Sequence, residues 1–494
     1  MTELSGMIPD FTGFYENQFI AGEGESLTVE NPSSGEIIAT LRGVSLPQVE
    51  AAINSARREF DDGGWSGMPA RERVAILRRY VAAMVRQADR LAELVVAESG
   101  CPPHSGVMQA QVNTPLRQAE GIFALYESLP DIEENPLPLA ERIAPQGHFV
   151  QSLRRYTPIG VVAAIAAYNV PFYTAFWKVL PALVTGNTVV LRPNPLTPLN
   201  AVLFAEAALE AGLPPGVVNV VIENGLEGAR LLTTHPMVDM VAFTGSSNVG
   251  AQVMAQAAPT MKRLQLELGG KSAQIFLPDA VEQAVMAAVI VCAAHAGQGC
   301  ALGTRLFVPE ESKPQVLEKI AGAVQRLKVG RSDDPTTQVG PVINAAAVER
   351  CERFVAAALE YGGRLVVGGK RPAHLNGGYF FEPTVLDLPD NSNPAAQDEI
   401  FGPVVSVIGY RDLDHAIAMA NDSKFGLSGY VHGQDRRQAL DVALRIKSGT
   451  VQVNTGVFSA YASSGGQRLS GLGRERGIEG IRLYQQLTCL NLGG

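Results

Sequence analysis

Between Val49 and Glu98 apolar residues recur every three or four positions among arginines and glutamates, as in RERVAILRRYVAAMVRQADRLAELV. That spacing puts them on one face of a 3.6-residue turn and predicts one or two long amphipathic helices covering a core. After the Pro- and acid-rich stretch LPDIEENPLPLAER the pattern changes, and GHFVQSLRRY reads as a projecting pair of strands, an arm able to reach another subunit. Four short β-branched runs follow, IGVVAAIAA, NTVVLRP, VVNVVI and MVAFTG, each succeeded by a helix-like segment that opens near a turn residue. Short apolar strands separated by helices form βαβ units, whose sheet is covered on both faces and whose ligands collect at the carboxyl ends of the strands. A doubly wound nucleotide-binding lobe is therefore expected. From about Leu266 a second α/β lobe opens with LELGGKSAQIF, passes through the apolar run Ala284 to Ala294, and alternates between strands and helices up to SGTVQVNT. The last residues, IRLYQQLTCLNLGG, read as a β-prone tail.

Composition narrows the class. A chain of 494 residues, 46% apolar and 18% charged, can bury a large core and should divide into two or more lobes. The formal charge of -9 and the lack of a dense Lys/Arg block argue against a nucleic-acid partner. No apolar run approaches the roughly 20 residues of a spanning helix, and MTELSGMIPD lacks a basic region followed by an apolar one, so a cytoplasmic location without membrane contact is expected. Five scattered cysteines, odd in number and never in CxxC spacing, and seven dispersed histidines argue against a disulfide framework and against a metal site. Neither a GxSxG elbow nor a GxxxxGK[ST] loop is present.

The candidate chemistry lies at the ends of the predicted elements. No GxGxxG follows any strand, but in FTGSSNVG a strand ends at Gly245 and a helix opens at Ser246 or Ser247, where unpaired N–H groups could meet a phosphate. Cys300, between Gly299 and Ala301 in HAGQGCALGTR, reads either as a packed thiol or as a nucleophile on an open turn. Asn169 directly follows an apolar strand, Glu267 precedes two glycines in LELGG, and EIFGPVVSV carries Glu399 and Phe401. Taken singly, these also read as a turn former, a surface carboxylate and a packing group.

In combination and in order, they resemble the aldehyde dehydrogenase superfamily. The resemblance runs through NPSSGEIIA, KVLPALVTGNTVVLRPNPLTP, FTGSSNVG, LELGGKS, GQGC, VGPVIN, EIFGPV, NDSKFGLSG and GGQRLSGLGRERGIEG, nearly the whole chain. It implies an α/β fold with a doubly wound cofactor-binding domain over 1–133 and 154–265, an α/β catalytic domain over 266–477, and a small β oligomerisation arm and tail over 134–153 and 478–494. A homodimer or homotetramer is implied. So is oxidation of a small-molecule aldehyde by NAD, with NADP use open. Cys300 is then the nucleophile, because hydride leaves readily only from a carbon bearing an oxyanion and a thiolate makes that carbon tetrahedral. Asn169 and the Cys300 N–H stabilise the oxyanion, Glu267 is the general base that hydrolyses the thioester, and Lys178 has an auxiliary electrostatic role.

For the cofactor the resemblance assigns Gly245, Ser246 and Gly250 to the phosphate turn, Leu268 beside it, Glu399 to the nicotinamide ribose and Phe401 to the nicotinamide ring. The family's usual KPSE is here RPNP, so Arg192 replaces a lysine and Pro195 an acid that binds ribose hydroxyls. That change removes a charge repelling a 2'-phosphate, and Arg192 could attract one. Phe172, Thr174, Trp177, His295, Phe458 and Ser464 fall near substrate-pocket positions, and no arginine is obviously placed there for a carboxylate. An uncharged, apolar aldehyde, aliphatic, terpenoid or aromatic, is expected. Two other readings are an ester hydrolase using Cys300 without redox work, which leaves Glu399 and Phe401 unexplained, and a non-enzymatic binding protein on the same fold.

Overall fold

The computed structural model describes residues 6–456 and 459–493. Where one or two helices are expected over 49–98 there are three, Leu46–Asp62, Ala70–Arg86 and Ala88–Ser99. The first stops at Gly63, and Pro69 precedes the second. The second and third meet at Gln87, whose φ of -105° and ψ of 15° bend the chain without a Gly or Pro to announce it. Val74, Leu77, Tyr80, Val81 and Met84 form the buried face of the middle helix, as the spacing requires.

The four β-branched runs become the strands Val161–Ile165, Thr188–Arg192, Val218–Val221 and Met240–Thr244, buried along nearly their whole length. They pair in parallel, with Val161–Ile165 between Met240–Thr244 and Thr188–Arg192. Arg263–Glu267 adds a fifth parallel strand beside Met240–Thr244. The expected lobe boundary at residue 266 therefore falls inside a strand of the first sheet, and the crossing to the second lobe follows Glu267. Chain order reverses beside Val161–Ile165, so the crevice for a ligand opens at the carboxyl ends of that strand and Met240–Thr244.

A second sheet of seven strands has Ala273–Phe276 near its middle, flanked in parallel by Arg305–Pro309 and Ser428–His432. Its only antiparallel pairing among the described residues is at the Arg364–Val367 edge. The apolar run forms the helix Gln283–Ala293, which packs on this sheet through Ala284, Ala288, Val291 and Cys292.

The arm is longer than expected. Its main strand is Val150–Pro158, paired with Ile132–Glu134 and, along its full length, with the tail strand Gln485–Gly493. Arm and tail thus satisfy each other's backbone within one chain. Leu487, Leu492 and Ile132 remain exposed on this small sheet. Among the described residues no helix is long and apolar enough to cross a membrane.

Candidate active site

A cavity of about 780 Å3 lies at the crevice, lined from Arg192, Asn194 and Arg230 at one end, past Gly245, Ser246, Glu399 and Phe401, to Asn169, Glu267 and Cys300. The Cys300 turn is built by abrupt termination of the preceding helix. His295, Ala296 and Gly297 all take left-handed backbone, with φ of 48°, 50° and 73°. A Cβ on Gly297 would lie 2.0 Å from the Gly402 carbonyl oxygen, so this position tolerates only glycine. Two consecutive non-glycine residues in that region store strain, and such strain is concentrated at sites where geometry matters more than stability.

Gln298 locks the turn: Ile343 N–H donates to its Oε1 at 3.0 Å, and its Nε2 donates to the His295 carbonyl at 3.1 Å. Its own carbonyl accepts from Asn169 Nδ2 at 2.8 Å. One amide hydrogen of Asn169 is thereby engaged and the second remains to donate elsewhere. Cys300 is partly exposed within the cavity. Burial, followed by the nearby carboxyls of Glu399, Glu267 and Glu475, pushes its thiol up to about 12.

Glu267 ends its strand with Oε1 buried and without a hydrogen-bonding partner among the described residues. Burial, then the neighbouring Glu475, hold its carboxyl well above the ordinary carboxylate range, while Lys178, Arg476 and Arg474 pull the other way. Lys178, fully buried, binds Glu475 Oε1 at 2.6 Å. Its charge is therefore paired with Glu475, a residue the sequence reading passed over although it stands in the quoted GLGRERG. The segment carrying Glu475 is held beside the cavity by reciprocal backbone bonds between Ser464 and Glu475 at 2.8 and 2.7 Å.

Glu399 lies against the LELGG turn. Gly270 N–H donates to its Oε1 at 3.0 Å, and a Cβ on Gly269 would come within 2.2 Å of its Oε2. Burial raises its carboxyl, with the Gly270 bond and Lys271 opposing. Phe401 also has left-handed backbone, φ 56°, and its ring meets Tyr168 edge-on at 6.0 Å. Arg350, another residue the sequence reading did not single out, holds this loop by donating to the carbonyls of Ile400 and Phe401.

Towards the other end, Ser246 caps the helix Ser247–Ala257. The opening N–H groups of such a helix lack intrahelical partners, which suits a phosphate. Gly245 and Gly250 permit close packing, since a Cβ at either would collide with the Phe243 ring or with Leu268. These glycines, the capped helix, the carboxylate of Glu399 and the aromatic Phe401 lie along one cavity and fit a nicotinamide dinucleotide. Arg192 lines the cavity but is not a loose cation: its Nε donates to Glu223 Oε1 at 3.0 Å and its Nη2 to the Gly225 carbonyl at 2.7 Å.

The substrate side differs more from expectation. Thr174 and Ser464 line the cavity, but Phe172, Trp177 and His295 do not. Phe172 turns into the core against Phe176 and Phe204. Trp177, fully buried, is covered by Tyr173 and by the Arg476 guanidinium 5.5 Å from its ring. His295 is buried behind Asn169, whose backbone it contacts, and burial pushes its imidazole down to about 4, so it is a neutral strut under the turn rather than a wall or a base. Phe458 lies outside the described residues. Contrary to the sequence reading, an arginine does reach this part: Arg476 lines the cavity and donates through Nη2 to Ser464 Oγ at 2.7 Å.

Comparison with known proteins gives the family. The aldehyde dehydrogenase family model matches residues 19–490. The chain is 36% identical to the NADP+ succinate-semialdehyde dehydrogenase GabD of Escherichia coli, covering 96% of this chain and 95% of that one. It is likewise 36% identical to the geranial dehydrogenase of Castellaniella defragrans, covering 97% and 98%. A solved aldehyde dehydrogenase C mutant of Pseudomonas syringae with NAD+ and octanal superposes with a TM-score of 0.90 at 34% identity, covering 97% of this chain and 96% of that one. Fold, cavity and sequence together show that this chain belongs to the aldehyde dehydrogenase family.

Proposed function

We propose that the chain oxidises an uncharged, apolar aldehyde to its carboxylic acid with NAD, through a thioester on Cys300 that water cleaves. The observation that carries this reading is the meeting, along one cavity, of a thiol, a side-chain amide, a carboxyl with one buried oxygen unpartnered among the described residues and a cradle suited to a dinucleotide, drawn from chain positions 169 to 401. Arg192, Ser246, Glu399 and Phe401 would hold the cofactor, which when bound supplies the hydride acceptor.

The chain's own residues do the rest. Cys300 Sγ adds to the carbonyl carbon, and its S–H proton passes to bulk water as the C–S bond forms. Asn169 Nδ2 and the Cys300 N–H donate to the oxyanion that results. Once the carbon has been oxidised, Glu267 removes a proton from water, whose oxygen adds to the acyl carbon, and the thiolate departs as the acid forms. Lys178 and Glu475 set the charge around Glu267. The Arg476 guanidinium donates to Ser464 Oγ and lies over the Trp177 ring, so a substrate carboxylate would have to compete with both contacts.

Reduced-cofactor formation across an aldehyde panel tests the proposal. Hexanal, geranial and benzaldehyde should outperform succinic semialdehyde in kcat/KM. The reverse order would sink the substrate class, and inertness towards all of them the reaction itself.

Asn169→Ala should lower kcat about 10²- to 10³-fold, the loss seen when one preorganised oxyanion donor is removed, while circular dichroism stays unchanged. A kcat within about threefold of the parent would remove Asn169 from the oxyanion site.

A further inference from the structure

Where the strand Val218–Val221 ends, Glu223 turns its carboxylate under the Arg192 end of the cavity. Its Oε1 accepts from Arg192 Nε at 3.0 Å and from Ala229 N–H at 2.8 Å, and its Oε2 accepts from Gly228 N–H at 2.7 Å. Both side chains of the Arg192–Glu223 pair are 5% exposed. A Cβ on Gly228 would stand 2.5 Å from Glu223 Oε2, so glycine is what allows the carboxylate to seat on the first turn of the helix Glu227–Thr234. The second guanidinium lining this end, Arg230, also has a glutamate partner, Glu227, at 2.6 Å, but that pair is mostly in solvent.

We propose that Glu223 is a positioning residue that selects a dinucleotide lacking a 2'-phosphate. The inference rests on the reading that a nicotinamide dinucleotide lies in this cavity with its adenosine end at Arg192. A phosphate there needs a cation and free N–H donors, and a helix N-terminus with an arginine beside it offers both. Glu223 consumes them: one carboxylate neutralises Arg192 and accepts two of the helix's opening N–H groups. A 2'-phosphate would meet donors already used and a fixed negative charge behind them, which is selection by repulsion as much as by attraction. A ribose hydroxyl carries no charge, and Arg192 keeps N–H groups beyond its two bonds to donate to it. Glu223 thus supplies, from just beyond a neighbouring strand, the negative charge that Pro195 does not carry.

The test is calorimetric titration of the full chain with 5'-AMP and 2',5'-ADP, and with NAD+ and NADP+, followed by kcat/KM for both cofactors with the best aldehyde of the panel. Each protein is its own control, because the ratio of two ligands on one preparation does not depend on how much of it is folded. The parent should favour 5'-AMP over 2',5'-ADP. Glu223→Ala, which opens the space, and Glu223→Gln, which keeps the shape and removes the charge, should each move that ratio towards 2',5'-ADP by about tenfold or more, with the NADP-to-NAD ratio following. Glu227→Gln, on the exposed pair, should move it less than about twofold. A parent that already prefers 2',5'-ADP, unmoved ratios in both Glu223 variants, or an equal shift in Glu227→Gln would each overturn the proposal. Ratios that move as expected in a protein oxidising no aldehyde would defeat the reaction reading and leave this one standing, whereas unmoved ratios in an active aldehyde dehydrogenase would defeat this one alone.

Discussion

Cys300→Ala is expected to abolish both steady-state turnover and the first-turnover burst of reduced cofactor, with a loss of about 10⁴-fold or more in kcat. The size follows from what the thiol contributes. Without it the aldehyde carbon stays flat, and among the described residues no second thiol lines the cavity to replace the sulfur. The other cysteines give the contrast. Cys101, Cys292 and Cys351 are buried, and burial raises each thiol; Cys292 donates to the Pro403 carbonyl. Cys300 is raised as well, by burial and three nearby carboxyls, but unlike those buried thiols it opens on the cavity. Its thiol is therefore held protonated at rest, and reactivity should grow as pH rises. More than about a tenth of the parental kcat in the Cys300→Ala enzyme would defeat the mechanism.

What the sequence made legible, and what it hid, follows physical lines. The parallel strands could be read because both faces are buried and the runs are β-branched without interruption. The turn at Cys300 could be read as special because bulk disappears from it, and Gly297 against Gly402 gives the steric reason. Misplacement of Phe172 and Trp177 has an equally plain origin. In the helix Pro171–Val184 all residues but Tyr173 are buried, so there is no polar face to fix which side meets the cavity. Glu475 and Arg476 were hidden for another reason. They reach the site through the pairing of Ser464 with Glu475 and the long-range ion pair to Lys178, contacts that no local periodicity encodes. Glu223 was hidden too, since its identity as an acid says nothing until Arg192 and the helix opening at Glu227 are seen to share it.

Glu267→Gln should separate the two halves of the reaction. Glutamine keeps the shape of the side chain and cannot take a proton from water, so the thioester should form once per site and then persist. The expected record is a burst of reduced cofactor approaching one equivalent per active site, followed by a steady rate about 10²- to 10⁴-fold below the parent. The parent's pH profile carries the same assignment. A general base works only when deprotonated, and burial, reinforced by Glu475, raises the Glu267 carboxyl well above its ordinary value. The acid limb of kcat should therefore lie well above the usual glutamate range, and that limb should vanish in Glu267→Gln. Glu475→Gln removes a like charge beside Glu267 and leaves Lys178 without its partner, and both changes favour the ionised base. Its limb should move to lower pH. The three profiles together distinguish a base acting on water from a carboxyl that only shapes the pocket, because only the former ties the position of the limb to the charge at residue 475. A Glu267→Gln enzyme that turned over at the parental rate, or one that gave no burst at all, would place the general base elsewhere.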